Sequence, residues 1–162
     1  MIRLLDLYEG DHIREGALEF LYDLMKERTP EISISHTTLP TFEQHRQFVT
    51  RRPYRLWYMI EPTGTRVIAT KAVGELPVYY WVGYVSATPR NEIGVVLAKA
   101  YRGQGYGPLA IRELMRLHEP LPAEPSVRAG RWLANIAPGN EHSQYIFRDK
   151  LGFKKIQETY QL

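Results

Sequence analysis

Apolar and polar positions alternate weakly over residues 2–7, the period of a half-buried strand. A helical period follows. From Gly10-Asp11 onward, Ile13, Ala17, Phe20 or Leu21, and Leu24 fall on one face, Lys26 and Arg28 lie in the last turn, and Thr29-Pro30 stops the run. Residues 31–40 carry no clear period and read as a loop. Thr41-Phe42-Glu43-Gln44 has the spacing of a capping box, in which the Thr41 hydroxyl and the Gln44 side chain each satisfy a free backbone group. A second helix is therefore predicted to run to about Arg51 and to end before Pro53.

Residues 56–60 and 78–87 are rich in β-branched and aromatic side chains and predict strands, with Pro62-Thr63-Gly64 as a turn after the first. Between them, residues 66–70 either add a short strand or stay in a loop. Pro89-Arg90-Asn91 turns the chain into a strand over 93–98. Leu109, Ile111, Leu114, Met115 and His118 mark a helix that must end near Pro120, and residues 119–130 form an irregular surface connection. A strand over 132–136, a helix over 141–150 and a strand over 153–160 complete the order. That order predicts a single α/β (α+β) domain over residues 1–162, a mixed and largely antiparallel sheet of six to seven strands flanked by about four helices.

Composition narrows the chemistry. There is no cysteine, which excludes disulfides, thiolate metal sites and a cysteine nucleophile and fits a reducing compartment. The start of the chain is charged and has no signal-peptide apolar run, so a cytoplasmic location is expected. Net charge is +3, with the basic residues scattered rather than gathered in a stripe. Neither a nucleic-acid nor a membrane partner is expected, although the balance suits a small polyanionic ligand. No His or carboxylate spacing suggests a metal site, and Ser143 lacks the Gly-x-Ser-x-Gly elbow of a hydrolase.

The most informative stretch is Tyr101-Arg102-Gly103-Gln104-Gly105-Tyr106-Gly107-Pro108, which sets three glycines and an arginine between the apolar run 92–98 and a helix. Glycines permit positive φ, so successive N–H groups can converge on anionic oxygens at a helix N-terminus. The order Arg102-x-x-Gly105-x-Gly107 resembles the acetyl-CoA pyrophosphate signature of the GNAT superfamily of N-acetyltransferases, Gln/Arg-x-x-Gly-x-Gly/Ala. A second segment, Asn135-Ile136-Ala137-Pro138-Gly139-Asn140-Glu141-His142-Ser143 with Lys150-Leu151-Gly152-Phe153 after it, is similar to that family's fifth strand, last helix and closing strand. Its ending most resembles the branch with ribosomal-protein alanine, diamine and amino-sugar acetyltransferases.

The resemblance implies acetyl-CoA as co-substrate, without a metal, and direct attack of an acceptor amine on the thioester. It implies pyrophosphate binding by the backbones of Arg102, Gly103, Gln104, Gly105, Tyr106 and Gly107, and pantetheine binding by Val95, Val96 and Leu97 beside a splay between the family's fourth and fifth strands. Asn135 and Asn140 fall where side chains contact the coenzyme, and Asn140 also suits an N-cap. Glu92 stands where many relatives carry the base, but a one-residue difference in spacing decides the face to which it points. The family's tyrosine acid is missing. Its place falls to Phe147 counting from Asn140, on the coenzyme side, or to Arg148 counting back from Gly152, because this helix is one residue longer; Tyr145 is the candidate acid nearby. His36 lies in the region that usually selects the acceptor, while His118 and His142 read as helix decoration. Trp57, Tyr58, Tyr79, Tyr80, Trp81 and Tyr84 read mostly as sheet core, alternate members being free to line an acceptor groove. The expected function is N-acetylation of a primary amine, an amino sugar or other small amine rather than a protein terminus, by a possible homodimer. The alternative is a non-catalytic acyl-CoA-binding sensor or scaffold.

Overall fold

The computed structural model describes residues 1–29, 38–64, 80–122 and 130–158. Along the chain run β1 (Ile2–Asp6), β2 (Tyr8–Glu9), β3 (His12–Ile13), α1 (Ala17–Lys26), α2 (Phe42–Thr50), β4 (Leu56–Pro62), β5 (Gly83–Ala87), β6 (Ile93–Leu97), α3 (Tyr106–Leu117) and α4 (Glu141–Tyr145). β1, β4, β5 and β6 pair in that order, every neighbour antiparallel. β5 is buried along its whole length because both faces of the sheet are covered. On one face, α1 and α2 enclose Leu21, Leu24, Val49, Trp57, Met59 and Tyr84. On the other, α3 and the C-terminal segment enclose Ile60, Val85, Ile93, Ile111, Leu114 and Phe147.

The capping box forms as read: Thr41 Oγ1 accepts from the Gln44 N–H at 3.2 Å and Gln44 Oε1 accepts from the Thr41 N–H at 2.8 Å. α3 begins after the glycine turn and ends at Leu117, with His118 already extended two residues before Pro120. Elsewhere the pattern misleads. Gly10-Asp11 does not open a helix but forms the two-residue turn of the β2–β3 hairpin, with Gly10 at φ 62°. The helix starts later, at Ala17, behind Gly16 at φ 73°. The central sheet has four strands among the described residues, short of the six to seven expected. The segment 132–136 contributes only a parallel bridge, Leu133 to Glu92, and residues 153–158 add no strand to the sheet. The readings for residues 66–70, 78–79, 123–129 and 159–160 lie outside the described residues, as does His36. No described helix is long and apolar enough to cross a membrane.

Candidate functional site

The parity of β6 decides where its backbone points. Antiparallel strands bond through alternate residues, which exchange both their N–H and C=O with the partner. The Thr88 N–H donates to the Glu92 carbonyl at 3.0 Å and the Ala98 N–H to the Val82 carbonyl at 2.9 Å, so even-numbered residues face β5. Ile93, Val95 and Leu97 therefore turn their backbones to the opposite edge. There the Ile93 N–H donates to the Leu133 carbonyl at 2.8 Å and the Leu133 N–H to the Asn91 carbonyl at 2.9 Å. Among the described residues the pairing stops after that bridge, and Asn135 reaches back with its side chain to Glu92. Beyond Ile93 the outer edge opens, leaving both backbone groups of Val95 and the N–H of Leu97 facing the gap. The Leu97 carbonyl is taken by Arg102 Nε at 3.0 Å. Of the three residues expected to face a pantetheine arm, Val96 gives its backbone to Tyr84.

After β6 a single 3₁₀ turn, Lys99–Tyr101, leads into the glycines. Gly103 has φ 76° and Gly105, the N-cap of α3, φ 83°, and an added Cβ would meet nothing within 4 Å at either. These two glycines are there for conformation, not for space. Gly107 differs. It is buried, and a Cβ there would only touch Ile146 and Leu97 at 3.8 Å. No described group accepts from the amides of residues 103–107, which cluster at the positive end of a twelve-residue helix. Arg102 reaches away from them: its Nη2 lies 3.2 Å from Glu27 Oε2, which also accepts from the Lys99 N–H at 2.6 Å.

Glu92 is half-buried at the closed end of the gap. Its Oε2 accepts from Thr88 Oγ1 and its Oε1 from Asn135 Nδ2, each at 3.0 Å. By parity its side chain shares a face with Gly94 and Val96, the face covered by α1 and α2. Thr88 was not singled out from sequence. Its hydroxyl also accepts from the N–H groups of Arg90 and Glu92, holding a turn in which buried Asn91 takes φ 63° and bonds both backbone groups of Leu121. The signal available was Thr-Pro-Arg-Asn itself, a hydroxyl and an Asn flanking a proline turn.

Asn140 caps α4, accepting from the Ser143 N–H at 3.0 Å. Tyr145 is 46% exposed, with Lys150 Nζ 5.2 Å from its ring centre. No contact joins it to Glu92 among the described residues. Phe147 is buried, edge-on to Phe153 at 5.1 Å. After Tyr145 the helix widens into a π-helical turn, Ile146–Lys150, in which the Leu151 N–H reaches the Ile146 carbonyl at 3.1 Å. A π turn absorbs one extra residue, which accounts for the two conflicting counts across this helix. His118 is not mere decoration, since its Nε2 lies 2.8 Å from the Tyr58 hydroxyl and the rings stack.

An open strand edge followed by an amide-lined turn is the arrangement that the resemblance at Arg102, Gly105 and Gly107 implies for the coenzyme. Residues 14–154 match the family model described as an acetyltransferase (GNAT) domain. The chain belongs to the GNAT family and is an N-acetyltransferase by that membership. Among solved structures, it resembles a ribosomal-protein-alanine N-acetyltransferase from Brucella melitensis, at 23% identity and TM-score 0.58, over 97% of this chain and 86% of that one. It also resembles the spermidine/spermine N-acetyltransferase of Vibrio cholerae, at 15% identity and TM-score 0.56, over 94% and 79% of the two chains. A third likeness is to an acetyltransferase of Trypanosoma brucei, at 16% identity and TM-score 0.54, over 100% and 97%. At these identities the likeness concerns the fold. No curated protein matches the sequence.

Proposed function

We propose that the protein moves an acetyl group from acetyl-CoA to a primary amine of a small molecule, by direct attack and without a covalent enzyme intermediate. The observation that carries this reading is the continuous path from the open edge at Val95 and Leu97 to the unengaged amides of residues 103–107. Both parts suit the coenzyme: strand donors and acceptors for an amide-containing arm, and converging N–H groups at a helix start for a pyrophosphate. The coenzyme supplies the activated acyl group. The Val95 and Leu97 backbones align the arm, and an N–H on this edge is placed to stabilise negative charge on the acyl oxygen, a contribution commonly worth about 3 kcal/mol. Glu92 takes the amine proton, its carboxylate fixed by Thr88 and Asn135. Tyr145 is the side chain proposed to return a proton to the departing thiolate.

Burial of Phe147 favours one competing reading, in which the domain binds acyl-CoA without turning it over. Two measurements separate them. At a hundredfold excess over Kd, acetyl-CoA should add about 2.7 kcal/mol of stability, a rise in Tm on the order of several degrees for a domain of this size. ATP and NAD should do less. Thiol release on addition of amines then supports the enzyme; a thermal shift without amine-dependent release supports the binding module, and no selective shift rejects both.

A further inference from the structure

On the α1–α2 face, over β4 and β5, lies a recess of about 30 Å³, lined in part by Arg28, His45, Phe48, Tyr54, Trp57 and Tyr84. Its size suits two waters or one small planar group. We infer that this recess holds a carboxylate of the acceptor, so that the small amine acetylated here is an amino acid or another amine bearing a carboxylate. The inference rests on the enzymatic reading above.

The chemistry of the lining selects an anion. Arg28 is half-buried, donates from Nη2 to the Tyr84 hydroxyl at 2.6 Å and has no carboxylate partner among the described residues. Because the Tyr84 oxygen accepts from Arg28, its own hydroxyl proton is available to a second acceptor. Trp57 is 5% exposed, and its Nε1–H is buried without a partner among the described residues. A buried donor left unmade is costly, and indole N–H groups normally find an acceptor. Tyr54 stays a neutral phenol, its pKa pushed up to about 12, chiefly by burial. His45 donates from Nε2 to the Leu18 carbonyl, which leaves Nδ1 as a buried lone pair without a partner, suited to a water that in turn donates to the carboxylate. Among the described residues no acidic side chain lines the recess, so this lining would repel an ammonium group and accept a carboxylate between aromatic walls.

The position fits the reaction. Tyr84 pairs with Val96 across β5 and β6. Along β6 on this face the chain presents Val96, then side-chain-free Gly94, then Glu92, a run of roughly 13 Å at strand spacing, so the acceptor amine that reaches the base is separated by several bonds from a carboxylate held at Arg28. Glu27, the residue before Arg28, bonds to Lys99 and Arg102, which ties the recess to the coenzyme turn.

Three measurements on the acetyl-CoA-saturated protein test this. First, the acetyl-CoA thermal shift establishes the coenzyme site, and its absence rejects the proposed function rather than the recess. Second, tryptophan fluorescence is followed during titration with propionate and with propionamide, Trp57→Phe serving as the probe control. Propionate should give a saturable change that propionamide does not; Arg28→Gln should weaken it about tenfold or more, with Tyr84→Phe as a second variant. Identical responses to acid and amide, or no response to either, overturn the proposal. Third, thiol release is compared for γ-aminobutyrate, 6-aminohexanoate and lysine, whose amines stand several bonds from the carboxylate, each against its carboxamide. The acids should be preferred in kcat/KM, and Arg28→Gln should erase the preference while retaining acetyl-CoA affinity. Faster turnover of the amides by a protein that binds acetyl-CoA overturns the recess proposal alone.

Discussion

Glu92 is held by two neutral donors, Thr88 and Asn135, so its carboxylate is oriented without being paired to a cation. That division of labour gives distinct signatures. Glu92→Gln should lower kcat by about 10²-fold or more and flatten the pH dependence, with acetyl-CoA affinity intact. Thr88→Val, which removes only an orienting bond, should lower kcat less and displace the pH profile rather than abolish it. A wild-type profile in Glu92→Gln would remove Glu92 from the mechanism. The glycines make a second contrast. Gly105→Ala forces a side chain onto a residue at φ 83° and should cost about 1 kcal/mol of stability, together with coenzyme affinity. Gly107→Ala meets only ordinary contacts at 3.8 Å and should leave both nearly unchanged. Isothermal titration with acetyl-CoA and chemical denaturation of the two variants check the difference, which also matches the Gly/Ala alternative at the last position of the signature.

Elements whose signals are local were legible, and those that depend on a remote partner were not. The α2 capping box involves residues three apart, and the sequence contains everything it needs. Gly10-Asp11 suits both a helix entrance and a tight hairpin turn, and the choice was made by the pairing of Tyr8 with Ile13. The segment 132–136 has strand composition, yet one bridge is all that it forms. For the candidate site, a glycine turn at a helix start was readable from Gly103 and Gly105, whereas the face of Glu92 required the β5–β6 register. Gly83 was invisible to the pattern. A Cβ there would lie 2.1 Å from the Val96 carbonyl oxygen, so β5 and β6 can approach only because this residue has none. Gly83→Ala should destabilise the domain by about 1–3 kcal/mol through overpacking, measurable by urea denaturation, and should disturb the edge at Leu97, its direct partner.

Across the whole molecule, two histidines link stability to acidity. His45 and His118 both have pKa values below the ordinary 6.5, in each case chiefly because burial disfavours the charged ring. The unfolded chain therefore binds more protons than the folded one between the folded values and 6.5. Their contribution is fully present above that pH and is lost as pH falls through it. Tm should decline below about pH 6.5, before the carboxylates titrate, and His45→Gln should make the decline shallower. A Tm constant down to pH 5 would contradict this assignment.

The widened turn after Tyr145 carries an evolutionary consequence. Each residue added to or removed from an α-helix rotates everything beyond it by about 100°, and most such changes would drag Ile146 and Phe147 out of the core. Here one loose turn follows Tyr145, and Ile146 and Phe147 within it and Leu151 and Phe153 after it all pack with the core. Deleting Asp149 should tighten that turn. The positions this helix presents outward, Tyr145 among them, are thus open to change by insertion or deletion as well as by substitution.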